Sequence, residues 1–157
     1  MHDRVARLWM FDPVEGALVL LTLALCIDVL VAVVLRYVFH TSLGFYDELA
    51  RYLFVWMSFL GAAAGVKRHG HFGVGLVLER LPRSVRRIVN VLNTLGMMVF
   101  AGFLVSKGLT MVRLSSLQLS PAMEISVSYL YAPVPISGTL MIVYLLPHLI
   151  RQLRGRA

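Results

Sequence analysis

The stretch Asp47–His71, DELARYLFVWMSFLGAAAGVKRHGH, decides how the whole chain is read. Two acids and an arginine open it, and apolar, aromatic and then small residues carry it to Lys67, Arg68 and two histidines. Charges at both ends of an uncharged run are the layout of a segment that crosses lipid, where every backbone polar group must be satisfied within a helix. The uncharged run alone is short of the roughly 20 residues a span requires. The helix is therefore expected to start near Phe45 and to hold Asp47, Glu48 and Arg51 at the interface.

Composition agrees. Of 157 residues, 59% are hydrophobic, and the mean hydropathy is +0.79, whereas soluble domains are about 45–50% apolar. Working outward, apolar blocks predict four transmembrane helices over about residues 14–35, 45–66, 88–110 and 126–149. The expected fold is an all-α integral membrane protein, with residues 1–157 as one membrane domain. The first block, GALVLLTLALCIDVLVAVVL, exceeds the about 7–15 residues of a signal-peptide core, so it reads as a retained span. Between the second and third helices, about residues 71–87, large apolar residues alternate with basic ones. This is the composition of an amphipathic segment lying at the interface, broken near Pro82. Pro133 and Pro135 each remove a backbone donor and should bend or open the fourth helix.

The basic residues orient the bundle. Arg4 and Arg7, then Lys67, Arg68, Arg80, Arg83, Arg86 and Arg87, then Arg151, Arg154 and Arg156 fall on one side; only Arg36, Arg51, Lys107 and Arg113 fall on the other. The positive-inside rule places the rich side, with both termini, in the cytoplasm. It also accounts for the net charge of +7 without nucleic acid. Lys67, Arg68, Arg83, Arg86 and Arg87 are the candidates for contact with anionic lipid.

Few residues offer chemistry. Asp28 is the one ionisable residue well inside a span, a costly placement that is functional by default. A cation site, a proton relay and an interhelical hydrogen bond all remain open for it. In α-helical spacing Asp47 and Glu48 lie beside Arg51, and acids suit a helix N-terminus; the same three residues form a candidate docking patch. Gly61 and Gly65, with Ala62 between them, make a G-x-x-x-G that lets helices approach closely. The histidines (His2, His40, His69, His71 and His148) sit at ends or in loops, which leaves no facing pair for haem. His69 and His71 alone make a poor metal site, and Cys26 has no second cysteine to pair with. No metal, cofactor, catalytic or substrate-binding residue is expected, and no enzyme.

The run RYVFHTSLGFYDELARYLFVWMSFLGAAAGVKRHGHFGV resembles the signature region of the small permease subunit of TRAP transporters, the DctQ type. The resemblance rests on Arg36-Tyr37, Glu48, Arg51-Tyr52, Phe54-Val55-Trp56, Leu60-Gly61-Ala62-Ala63, Arg68 and His71. It continues in SPAMEISVSYLYAPVPISGTLM, with Ser120-Pro121-Ala122, Ile125, Tyr129 and Pro135 to Gly138. Gly75 departs from it, since members of that family often carry an acid there. The resemblance implies a bacterial inner-membrane subunit that scaffolds a large permease. It further implies help in docking a periplasmic substrate-binding protein for sodium-coupled uptake of an organic acid, with membrane lipids as further partners. The partner-interface candidates are then Asp47, Glu48, Arg51, Tyr52, Trp56, Gly61, Ala62 and Gly65. A self-sufficient small channel or proton-linked carrier using Asp28 is the alternative.

Overall fold

A computed structural model describes residues 13–41, 44–68 and 83–153. Helix α1 spans Pro13–Tyr37, α2 Gly44–Arg68, α3 Arg83–Leu114, α4 Ser128–Tyr131 and α5 Pro133–Leu153. Pro13 opens α1, where its missing N–H costs nothing. Glu15 in the first turn and Arg36 in the last complement the helix dipole. Among the described residues, four stretches are long and apolar enough to cross a membrane: Pro13–Tyr37, Gly44–Lys67, Ile88–Leu114 and Ser128–Ile150. At 1.5 Å per residue, the 25 residues of α1 or α2 exceed the ~30 Å hydrocarbon core. The chain is a multi-pass membrane protein.

Extensive contacts join α1 to α2, α2 to α5 and α3 to α5. The helices are thus packed in the order α1, α2, α5, α3, and α1 is held chiefly by α2. The shared core lies where the last three meet: Ala63 and Val66 of α2, Ala101 of α3, and Met141 and Leu145 of α5. Two glycines set the spacing there. A Cβ on Gly138 would stand 2.9 Å from the carbonyl oxygen of Ala101, and one on Gly108 would stand 2.7 Å from Cδ of Pro135. Gly61, expected to provide close approach, faces Cδ2 of Leu18 with room for a methyl group, at 3.9 Å. Within the chain, the tight contact is between α3 and α5.

Two boundaries differ from the sequence reading. Residues 83–87, assigned there to the interfacial segment, are continuous with α3, which runs 32 residues from Arg83. Beyond Pro82 no glycine or proline interrupts the chain until Gly96, so nothing stops the helix from extending back past Ile88. The rest of the expected interfacial segment, 71–82, lies outside the described residues. The second difference concerns the fourth span, which is divided at Ala132 into the single turn α4 and the long α5. Pro133 and Pro135 fall in the first turn of α5, where backbone N–H groups lack intrahelical partners anyway. The backbone stays helical through Ala132, whose N–H donates to Ser128 O, so the two missing donors open the hydrogen-bond ladder without ending the helix. Pro147 remains inside α5.

Candidate functional site

Polar chemistry gathers at the end of the bundle formed by residues 36–41, 44–48 and 115–129. The α1–α2 connection is short. Val38 N–H donates to Val34 O, Thr41 N–H donates to Leu35 O at 3.1 Å, and His40 takes a left-handed φ of 52°. This turn brings Arg36 Nη2 to 3.2 Å from Asp47 Oδ2. Both side chains are more than half exposed, so the pair fixes register more than it adds stability.

Glu48 is turned the other way and is buried, with 8% of its surface exposed. Its Oε2 accepts the backbone N–H groups of Ala122 at 3.0 Å and Met123 at 2.8 Å. Two turns along the same face of α2, Trp56 Nε1–H donates to the Tyr129 carbonyl at 3.0 Å. Spacing of four residues puts Glu48, Tyr52, Trp56 and Leu60 on one stripe; Tyr52 and Leu60 are buried within the chain.

The 115–129 segment is a folded plug, not an open loop. Ser120 N–H donates to Ile125 O at 2.8 Å and Val127 N–H to Gln118 O at 2.9 Å, framing an isolated bridge between Leu119 and Ser126. Glu124 closes the turn at φ 54°. Ser128 Oγ donates to Val112 O at 2.7 Å and Ser126 Oγ to Ser116 O at 3.1 Å. The plug is thereby stitched to α3 by the Ser128 hydroxyl, and to α2 by a carboxylate and an indole.

These positions sort the sequence candidates. The local spacing that set Glu48 beside Arg51 holds, since the Arg51 charge acts on Glu48, and longer-range partners add to it: Arg36 for Asp47 and the Ala122–Met123 amides for Glu48. Arg51 and Ala62 are exposed, Trp56, Gly61 and Gly65 half-buried, and Tyr52 internal. Lys67 Nζ lies 5.5 Å from the ring centroid of Tyr144, a cation–π distance. The side chains of Arg68, Arg83, Arg86 and Arg87 lie outside the described residues. Neither Ala122 nor Met123 was singled out from the sequence as a partner of Glu48. Their contribution is a pair of backbone amides, which no side-chain pattern announces.

Asp28 stands apart. It is buried, with 6% exposure, and both carboxylate oxygens lack a hydrogen-bond partner among the described residues. It lines a cleft of about 240 Å³ between α1 and α2 that reaches to the Arg36–Asp47 pair.

This geometry defines a four-span membrane protein whose polar side chains mainly brace its own end turns. The comparisons name the family. The profile described as "Tripartite ATP-independent periplasmic transporters, DctQ component" matches residues 17–155, and the chain belongs to that family, a transporter component. A Haemophilus influenzae protein assigned as a TRAP transporter small permease is 31% identical over 105 residues, covering 67% of this chain and 64% of that one. The C4-dicarboxylate TRAP transporter small permease protein DctQ of Vibrio cholerae is 36% identical over 73 residues, 46% of this chain and 28% of that one. The isethionate TRAP transporter permease protein DctMQ of Oleidesulfovibrio alaskensis is 28% identical over 110 residues, 69% of this chain but 17% of its own length.

Proposed function

We propose that this small permease acts as the fixed scaffold of a TRAP transporter, gripping the large permease while a periplasmic binding protein delivers substrate. The observation that carries this is the way the plug 115–129 is locked to α2 by Glu48 and Trp56. A rigid end surface on a membrane anchor suits docking, because little ordering is lost when a partner lands on it. The small share of DctMQ that this chain matches fits a small subunit joined there to a much larger one.

The Lys67–Arg68 end faces the cytoplasm by the positive-inside rule. The plug then faces the periplasm of a bacterial inner membrane, on the side from which a binding protein arrives. Arg51, exposed beside the plug, supplies charge for register with a partner. The basic stretch after α2 holds the subunit against anionic lipid, at about 1 kcal/mol per basic residue near the surface. The cargo is an organic acid and the driving ion sodium. The two C4-dicarboxylate and isethionate relatives are named for such acids. Coexpression with its large permease and binding protein, followed by uptake of radiolabelled organic acids with and without sodium, tests the reading. Sodium-dependent uptake that vanishes without this chain supports it; undiminished uptake without the chain refutes it.

A further inference from the structure

Intramembrane carboxylates are rare and almost always paired, because an unpaired one in a low-dielectric surround is costly. Asp28 breaks that pattern inside this chain. Its oxygens are buried and receive no donor. Yet it lines the α1–α2 cleft together with Ala32, Arg36 and Tyr37 of α1 and Tyr46 and Asp47 of α2. The cleft holds two carboxylates and one guanidinium, and that guanidinium is already engaged with Asp47. An ionised Asp28 there would need a positive charge that no described residue supplies.

Size limits what can supply it. A volume of about 240 Å³ falls below the about 300–1,000 Å³ typical of small-molecule pockets, a size that suits a single long side chain. Position limits it further. Val29 and Val33, which flank the cleft on α1, are exposed, and α1 has extensive contacts with α2 alone. This side of the molecule is open to a neighbouring helix within the membrane.

We propose that the cleft seats one basic side chain, lysine or arginine, from a transmembrane helix of the large permease, with Asp28 as its counter-ion. The inference rests on the scaffold reading above. The same geometry explains why the chain tolerates an unsatisfied carboxylate: the pair is completed on assembly.

The test uses the full chain coexpressed with its large permease. A photo-crosslinking residue in place of Val33 is activated in membranes, and the captured peptides are identified by mass spectrometry. In parallel, the permease recovered on tagged wild type, Asp28→Asn and Asp28→Glu is compared. Crosslinks to a permease segment containing a lysine or arginine are expected. Asp28→Asn should recover at least about tenfold less permease, the scale set by removing one member of a desolvated charge pair, and Asp28→Glu should retain most of it. The isolated Asp28→Asn chain should melt no lower than wild type, because it loses a buried carboxyl that has no partner among the described residues. Crosslinks confined to lipid, to a second copy of this chain, or to permease segments without a basic residue would overturn the proposal. So would unchanged recovery by Asp28→Asn, or a lowered melting point of that variant alone. Failure of the wild-type chain to bring down any large permease would instead defeat the scaffold reading itself, and this inference with it.

Discussion

Glu48 Oε2 lies 2.8 Å from the backbone nitrogen of Met123, joining residues 75 positions apart in the chain. With the adjacent bond from Ala122, it fastens the segment before α4 to the first turns of α2. Charge-assisted bonds to backbone N–H groups are roughly twice as strong as neutral ones. This carboxylate is therefore the main fastener of the plug.

Glu48→Ala should free the plug while leaving the four spans inserted. Hydrogen exchange at the Ala122 and Met123 amides should rise sharply, and limited proteolysis should open the chain between residues 115 and 127. Glu48→Gln, which keeps a neutral acceptor, should fall between the two. Unchanged protection of both amides in Glu48→Ala would show that the bonds do not hold the segment.

Trp56→Phe keeps the ring and removes the donor to Tyr129 O. The cost should be about 1 kcal/mol, the net worth of one hydrogen bond, read as a lower unfolding midpoint in detergent. A midpoint equal to wild type would mean that the indole bond contributes nothing.

The glycines separate packing inside the chain from packing outside it. Gly138→Ala places a methyl against a backbone carbonyl and should cost about 1–3 kcal/mol through overpacking, seen as lower thermal stability of the isolated subunit. Gly61→Ala meets only ordinary contact with Leu18 and should stay within about 0.5 kcal/mol of wild type. Equal effects of the two substitutions would contradict the α3–α5 close approach.

Arg36→Ala and Asp47→Ala should each change stability by less than about 1 kcal/mol, since the pair is exposed and screened. Unfolding midpoints at low and high salt check this. A loss well above that size in either variant would show that the pair holds α1 to α2.

Hydropathy made the four spans legible because lipid imposes one requirement, a long apolar helix, on every crossing segment. What it left unread depends on partners far along the chain. Nothing around Asp47, Glu48 and Arg51 shows that Asp47 will meet Arg36 across a turn, or that Glu48 will bind two amides more than 70 residues away; local spacing favoured Arg51. Gly61 and Gly65 carried a recognisable pattern. Gly108 and Gly138 carried none, since their meaning lies in the register of α3 against α5. The prolines were legible as a disturbance, while the continuity of helical backbone through Ala132 required the structure. Asp28 was visible as an anomaly, while its lack of an internal partner required the structure.

The central claim is that the chain exists to hold a larger membrane partner and carries no solute by itself. The most direct measurement is purification of the tagged chain from native membranes in mild detergent, followed by reconstitution of the chain alone and of whatever accompanies it. The account predicts that a much larger polytopic protein co-purifies, and that vesicles containing only this chain take up no organic acid. Recovery of the chain without such a partner, together with sodium-driven uptake by the chain alone, would contradict it.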